Sequence, residues 1–349
     1  MNTIKLTMSQ ALTKWMTNQK IEQFSSKHEN AFVGVWGIFG HGNVAGLGEA
    51  LFDVKDKLPT FRGHNEQGMA HAAISFAKQK KRRQMMAVTS SIGPGATNFL
   101  TACALAYVNR LPVLFLPGDI FANRLPDPVL QQTENFADAT VSANDCFKPI
   151  SRFFDRITRP EQIIQSLPKA MSVLTDPADC GPVTLSLCQD VQSEAYNYPE
   201  TFFEPKVWKI RRQPCDFDEL ENVIKKINSS KNPLIIVGGG VKYSGAKTEL
   251  ENLINSTGIP FAVTQAGKSS LDETNSKFVG SIGVTGSSVA NELAKKSDLV
   301  ISVGSRLQDF TTGSNTLISC EMISINVQNH DVVKHKSCLL YTSDAADES

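Results

Sequence analysis

Three polar segments rich in glycine each follow a short apolar run and precede a stretch with helical periodicity. They are residues 40–43 (GHGN), 62–68 (RGHNEQG) and 90–98 (SSIGPGATN). Backbone N–H groups at the start of a helix have no partner within the helix, so such turns suit an anion or a flat polar ligand. A single turn of this kind is usually structural, and Glu66 in a first helical turn would also complement the helix dipole. Three such turns in one domain predict a shared ligand-binding edge.

The metal- and nucleotide-binding motifs that could explain these segments are incomplete. His64 and Glu66 match the start of the zinc-deaminase signature, but no PCxxC follows, and the chain contains no HExxH. Residues 90–98 lack the lysine of a Walker loop, and residues 238–240 lack the last glycine of a dinucleotide fingerprint because Tyr243 stands there. We therefore expect no metal ligands within this chain and no NAD site.

Composition excludes several further classes of protein. The 349 residues include 35 Lys plus Arg and 35 Asp plus Glu, so the net charge is zero and no basic field attracts nucleic acid or a membrane surface. No apolar run approaches the roughly 18 residues of a membrane span, and the first nine residues lack a signal-peptide core, which predicts a cytoplasmic protein. The 7 cysteines are dispersed and never form CxxC, so we expect reduced thiols.

Apolar runs alternate with helical stretches along the first half of the chain. The pattern predicts strands at residues 31–39, 85–90, 112–116 and 182–187, helices at residues 66–79 and 96–109, and a capping box between Thr7 and Gln10. A repeated strand–helix order forms a parallel sheet that is covered on both faces.

A second series of alternating strands and helices follows, after an interval in which the apolar residues show neither strand nor helix periodicity. It predicts helices at residues 216–228, 246–257 and 287–296, and strands at residues 234–237, 260–264, 299–303 and 322–327. The fold class is therefore α/β, with two tandem parallel-sheet domains at residues 1–190 and 215–335 and a linker at residues 191–214. Residues 336–349 continue neither pattern, and we interpret them as a non-native tail.

Together these segments resemble the thiamin diphosphate enzymes of the acetolactate synthase and pyruvate oxidase type. The similarity is carried by residues 61–67, 93–98 (GPGATN), 127–134, 147–149, 232–241, 278–286 and 298–309. It implies that the first domain is the N-terminal pyrimidine-binding domain and the second is the Rossmann-like middle domain. It also implies that Glu66 is catalytic and contacts the cofactor, and that the turn at residues 93–98 binds the cofactor through Gly93, Pro94, Gly95 and Asn98.

Members of that family carry a third domain whose GDG motif binds Mg²⁺ and the diphosphate. This chain contains no GDG, so the resemblance implies that the Mg²⁺ ligands lie in a C-terminal domain beyond this sequence. We expect this fragment alone to be inactive, and the full-length protein to be a homodimer or homotetramer.

Three further segments indicate which substrate the site accepts, because they are similar to one kind of enzyme within the family. Residues 40–51, 62–69 and 124–132 are most similar to a hydrolase that cleaves a cyclic diketone in myo-inositol breakdown. This resemblance implies that His41, Asn43, Arg124 and Gln131 face the substrate. The alternatives are an acetolactate synthase-like carboligase, a 2-oxoacid decarboxylase and a fragment without catalytic function.

Overall fold

The computed structural model describes residues 2–126, 128–133 and 135–332, together with the backbone of residues 338–342. The chain forms two compact units, residues 1–210 and residues 211–349. No helix within the described ranges combines the length and the apolar character that a bilayer crossing needs.

The first unit contains a central parallel sheet and two small flanking sheets. Its strands are β1 (Thr3–Thr7), β2 (Gln19–Glu22), β3 (His28–Asn30), β4 (Phe32–Gly37), β5 (Thr60–Arg62), β6 (Met85–Ser90), β7 (Leu114–Asp119), β8 (Phe153–Ile157), β9 (Val183–Cys188), β10 (Ala195–Pro199) and β11 (Lys206–Trp208). The central sheet has the order β5-β4-β6-β7-β9-β8, while β1 pairs with β10 and the third sheet has the order β11-β2-β3.

Helices cover the central sheet of the first unit. They are α1 (Met8–Thr17), α2 (Glu49–Asp53), α3 (Glu66–Gln79), α4 (Pro94–Thr97), α5 (Leu100–Asn109) and α6 (Ile163–Leu174), with a π-helical turn at Val44–Gly48 and 3₁₀ turns at Ala143–Ile150, Pro160–Gln162, Val191–Ser193 and Glu200–Phe203. The predicted helix at residues 96–109 is two helices, because the chain turns at Asn98 and Phe99.

Burial explains why the strands of this sheet can be predicted from the sequence. Every residue of β6, β7 and β9 is buried, as expected for parallel strands covered on both faces. Each Leu or Phe buried in this way contributes about 1.5–3 kcal/mol. The predicted capping box is confirmed: the Thr7 N–H donates to Gln10 Oε1 over 3.0 Å, and the Gln10 N–H donates to Thr7 Oγ1 over 3.2 Å.

Residues 191–210 belong to the first unit, although the sequence predicted a linker at residues 191–214. Strand β10 pairs antiparallel with β1, and β11 pairs parallel with β2. Tyr198 is fully buried, and its hydroxyl donates to the backbone oxygen of Pro160 over 2.8 Å. The sequence did not predict these short strands, because the repeated Tyr, Pro and Glu residues interrupt the apolar alternation on which a strand prediction depends.

The second unit is built on another parallel sheet. Its strands are β12 (Pro233–Val237), β13 (Phe261–Val263), β14 (Phe278–Ser281), β15 (Leu299–Val303), β16 (Glu321–Ile325) and β17 (Cys338–Thr342), in the order β14-β13-β12-β15-β16-β17. Its helices are α7 (Phe217–Ser229), α8 (Gly240–Ser244), α9 (Lys247–Thr257), α10 (Ser288–Lys296), α11 (Asp309–Thr312) and α12 (Asn329–Val332). The α/β prediction with two tandem parallel sheets is therefore confirmed.

The C-terminal residues differ from their prediction in one respect. The backbone of β17 pairs in parallel with β16, whereas the sequence predicted no regular element within residues 336–349. Residues 333–337 and 343–349, which include the rest of the predicted tail, lie outside the described residues.

Candidate functional site

The three predicted turns meet at the carboxyl edge of the central sheet of the first unit. Strands β4 and β6 are neighbours, and the chain leaves them towards opposite sides, so their carboxyl ends form a topological switch point. The turns after these strands touch, because the Gly42 N–H donates to Ser91 Oγ over 3.2 Å. A Cβ atom at Gly40 would lie 2.8 Å from the same oxygen, so a side chain there would separate the two turns.

Glu66 is the first residue of α3, directly after β5. Asn65 is the N-cap, and its side-chain oxygen accepts a hydrogen bond from the Gly68 N–H over 2.6 Å. The half-buried Glu66 carboxylate reaches the turn after β6, where Asn98 Nδ2 donates to Glu66 Oε2 over 2.7 Å. The structure therefore brings together two residues that the sequence predicted as cofactor-binding.

Gly95 leaves an open surface beside this carboxylate. A Cβ atom at Gly95 would lie 3.2 Å from Glu66 Oε1, so a larger residue would push against the carboxylate. Pro94 begins α4 with its fixed backbone angle, as is common at the first helical position. The GPGATN turn thus lies directly against Glu66.

Gly93 lies under a loop that crosses the site. We call residues 120–142 the crossing loop; Asp127 and Glu134 of this segment lie outside the described residues. The backbone oxygen of Gln131 stands 2.1 Å from the position of a Cβ atom at Gly93, whose φ is +62°. Only glycine tolerates both this backbone angle and this approach.

His41 and Gln131 meet at the same edge. Their side chains are joined by a hydrogen bond of 3.1 Å between His41 Nε2 and Gln131 Oε1. Both were predicted on the substrate side, and they come from segments 90 positions apart. The pair can present a polar group to a hydroxyl or carbonyl of a small ligand.

Asn43 has a different position from its predicted place on the substrate side. It is 2% exposed, and its amide nitrogen donates to the Ile38 backbone oxygen and to Thr89 Oγ1, both over 3.1 Å. Its side-chain oxygen accepts from the Gly40 N–H over 3.0 Å. The buried Asn43 side chain therefore stabilises the turn that carries His41 through these hydrogen bonds.

We call Glu66, Asn98 and the turn at residues 93–95 the Glu66 cluster. Arg124 is exposed on the crossing loop, and the described contacts do not bring it to this cluster. Its charge acts instead on Asp138, whose pKa is lowered first by hydrogen bonds from Thr140 and then by Arg124. No contact described in the structure joins Arg124 to His41, Asn43 or Gln131, the other residues predicted to face the substrate.

Two carboxylates that the sequence analysis did not single out hold the crossing loop. Asp119, the last residue of β7, accepts from Arg156 Nε over 2.7 Å and from the Ile120 N–H over 2.8 Å. Asp190, just after β9, accepts from the backbone N–H groups of Ala122 and Asn123 over 2.9 and 2.8 Å. An acidic residue directly after a buried parallel strand is the sequence signal that could have found both.

Gln192 holds the turn after β4 and the π-helical turn that follows it. It is 1% exposed, and its Nε2 donates to the backbone oxygen of Gly42 over 2.7 Å. Its Oε1 accepts from the Leu47 N–H over 3.2 Å, within the π-helical turn. No motif predicted this role, because it depends on a contact between residues about 150 positions apart.

The site fits a flat heterocycle with a basic ring nitrogen better than it fits a metal ion. Glu66 offers a carboxyl group at a helix start, and Gly93 and Gly95 keep the neighbouring surface free of side chains. Within the described residues, no group of three or more His, Cys, Asp or Glu side chains could hold a metal.

Comparison with protein families identifies the architecture. Residues 28–139 match the model described as "Thiamine pyrophosphate enzyme, N-terminal TPP binding domain", and residues 220–345 match "Thiamine pyrophosphate enzyme, central domain". The two matches together cover more than half of the chain. The chain belongs to the thiamine pyrophosphate enzyme family. The N-terminal family domain contains every residue of the Glu66 cluster.

Curated relatives within the thiamine pyrophosphate enzymes are similar over nearly the whole chain. A 3D-(3,5/4)-trihydroxycyclohexane-1,2-dione hydrolase of Geobacillus thermodenitrificans (strain NG80-2) is 49% identical over 335 residues, which are 96% of this chain and 52% of the relative. A 3D-(3,5/4)-trihydroxycyclohexane-1,2-dione hydrolase of Bacillus cereus (strain AH820) is 47% identical over 330 residues, 94% of this chain and 51% of the relative. The chain thus spans about half the length of these relatives.

Proposed function

We propose that this chain forms the N-terminal half of a thiamin diphosphate-dependent hydrolase. Its substrate would be 3D-(3,5/4)-trihydroxycyclohexane-1,2-dione, cleaved at a carbon–carbon bond to give 5-deoxy-glucuronate in myo-inositol breakdown. The proposal for the substrate rests on the names and identities of the relatives. The observation that carries the cofactor assignment is the contact between Asn98 and Glu66 beside Gly95.

Glu66 would hold a proton at the pyrimidine nitrogen of the cofactor. When bound, thiamin diphosphate supplies a nucleophilic carbon and an electron sink for cleavage next to a carbonyl group. The Asn98 hydrogen bond fixes the orientation of the Glu66 carboxylate, and proton transfer by a positioned carboxyl group typically contributes about 10²–10⁴ in rate.

The remaining residues of the site would orient both ligands. Gly93, Pro94 and Gly95 would line the pyrimidine side of the site, since Gly95 puts no side chain beside Glu66 Oε1 and Gly93 allows the close approach of the crossing loop. The His41–Gln131 pair would bind substrate hydroxyl groups, while Asn43 would act from beneath by holding the turn that carries His41. The exposed Arg124 side chain would contact the substrate from the crossing loop.

The proposal extends to Mg²⁺, assembly and location. Mg²⁺ ligands and the diphosphate site would lie in the half of the relatives that this chain does not span, so this chain alone should bind the cofactor weakly. We propose that the full-length enzyme is a homodimer or homotetramer, as is usual in this family. A cytoplasmic location fits the free thiols of the described cysteines.

A product assay on the full-length enzyme tests the proposed reaction. With thiamin diphosphate and Mg²⁺, we expect turnover of the cyclic dione to a carboxylate product and no acetolactate from pyruvate. Acetolactate formation without dione cleavage would favour a carboligase, and carbon dioxide release from 2-oxoacids would favour a decarboxylase. Failure of the full-length enzyme to act on any of these substrates would contradict the proposed reaction and favour a non-catalytic role.

A further inference from the structure

The two ends of the crossing loop meet at one half-buried arginine. Arg156, on β8, donates through Nε to Asp119, the residue just before the loop, over 2.7 Å. Through Nη2 it donates to Ser142 Oγ at the end of the loop and to Asp145 Oδ1 just after it, both over 2.7 Å. One planar guanidinium therefore joins the start of the loop to its end.

This contact is built into the fold rather than lying on the surface. The Asp119 side chain is 2% exposed and the Arg156 side chain is 19% exposed. Ser186 also donates to Asp119, and Asn144 donates to Ser186 over 2.7 Å and to the Gly118 backbone oxygen over 2.9 Å. A buried ion pair with this many additional hydrogen bonds has a fixed geometry.

The middle of the same loop lies at the ligand edge. The Gln131 backbone oxygen stands over Gly93, and the Gln131 side chain bonds to His41. Since the loop ends are held at Arg156 and at Asp190, any displacement of the ends would shift Gln131 relative to the Glu66 cluster.

We propose that Arg156 is a positioning residue that joins the two ends of the crossing loop and thereby sets the place of Gln131 beside His41. This inference rests on the proposed function only for the role of Gln131 towards the substrate. Lysine would keep the positive charge opposite Asp119, but its single nitrogen cannot reach all three partners as the guanidinium fork does.

The kinetic test uses the full-length enzyme and the cyclic dione. We expect Arg156→Lys to raise KM about tenfold while kcat stays within about twofold, since small misplacements of positioning groups weaken ground-state contacts. In a Gln131→Ala background the same substitution should change KM by less than about twofold, because the residue through which Arg156 acts is already gone. Equal effects in both backgrounds, or an unchanged KM, would overturn the proposal.

A matched control lies four positions earlier in the chain. Arg152 has the same 19% exposure and also contacts an aspartate, Asp179, at 3.3 Å, but it makes no described contact with the crossing loop. Arg152→Lys should therefore leave KM unchanged in both backgrounds. If Arg156→Lys fails to fold, Asp145→Asn removes the charge and one of the two acceptor oxygens just after the loop while leaving the Asp119–Arg156 pair in place, and should reproduce part of the rise in KM.

Hydrogen exchange on this chain separates failure of the inference from failure of the proposed function. The Ile120 and Ser142 N–H groups bond to Asp119 and Asp145, the two carboxylates joined by Arg156. We expect Arg156→Lys, but not Arg152→Lys, to speed exchange at both amides about tenfold. Unchanged exchange would refute the role of Arg156 even if the dione is the substrate, whereas faster exchange without dione turnover would refute only the reaction.

Discussion

At the scale of single residues, the Glu66 carboxylate serves two physical roles at once. It stands in the first turn of α3, where a negative charge complements the helix dipole for about 0.3–1 kcal/mol. It also accepts a hydrogen bond from Asn98 across 32 positions of sequence. The dipole alone does not require this second contact, so the pairing favours a role in ligand binding.

Gly93 offers a direct test of how the crossing loop covers the site. Gly93→Ala should cost roughly 1–3 kcal/mol, because alanine rarely adopts a positive φ and its Cβ would overlap the Gln131 backbone oxygen. We expect lower stability in urea unfolding and faster proteolysis within residues 120–142. Gly68→Ala is the control, since its Cβ would meet only the Asn65 side chain at 3.1 Å. Equal losses in both variants would contradict the described approach of Gln131.

The sequence singled out the candidate site residues but not the contacts between them. Glu66, Gly93 and Asn98 were found because polar residues and glycines interrupt an apolar strand–helix pattern. The pairing of Asn98 with Glu66, and of His41 with Gln131, depends on how distant segments fold together, which no local spacing encodes. Asn43 was expected on the substrate side through the family resemblance, which does not distinguish an exposed from a buried asparagine.

At the scale of elements, buried strands were predictable and edge elements were not. Strands β6 and β15 were predicted with the bounds that the structure gives them, since every residue in them is buried. Strands β10 and β11 were missed because most of their residues are exposed, so apolar alternation is absent. These two strands are stabilised by pairing with β1 and β2, which lie far away in the sequence, and local sequence does not show such pairing.

The start of α3 should depend on its N-cap. Asn65→Ala removes the acceptor for the Gly68 N–H and should lower the free energy of unfolding by about 0.5–2 kcal/mol. Asn65→Ser should restore most of this loss, because serine is a comparable N-cap. Urea unfolding of the three proteins provides the measurement. Equal stability of the alanine and serine variants would show that the cap contributes nothing here.

The Asp145 contact at the end of the crossing loop should appear as acid sensitivity. Burial raises the pKa of Asp145, but hydrogen bonds from Lys148 and the Ser142 N–H and the charge of Arg156 outweigh it, so the net pKa lies below 3.8. The stabilisation is therefore fully present above the unfolded value, near 3.8, and is lost as the pH falls through the lower folded pKa.

Asp145→Asn provides the measurement for this pH dependence. At pH 7 the substitution should cost about 1.5–3 kcal/mol of unfolding free energy, as for hydrogen bonds to a charged group. The difference from wild type should shrink as the pH falls below the unfolded value of 3.8 towards the lower pKa of Asp145 in the folded protein. A difference that stays constant from pH 7 to pH 3 would contradict the assigned role of the Asp145 charge.

At the scale of the whole molecule, the boundary between the two units lies after Ile210. Residues 209–216 have no regular secondary structure, and Arg211 and Arg212 are exposed. Limited trypsin digestion should cut first after Arg211 or Arg212 and release fragments matching the two units. Early cleavage at Lys206 instead would show that β11 is not held by β2 and would support the longer linker predicted from sequence.

The central claim is that this chain supplies the pyrimidine side of a thiamin diphosphate site through Glu66. Glutamine at position 66 keeps the size of the side chain but cannot share a proton with the pyrimidine nitrogen in the same way. The most direct measurement is the rate of hydrogen exchange at the thiazolium carbon of bound thiamin diphosphate in the full-length enzyme. We predict that Glu66→Gln slows this exchange by about 10²–10⁴ while cofactor binding persists. Near-normal exchange in a correctly folded variant would contradict the claim and leave Glu66 with its helix-dipole role alone.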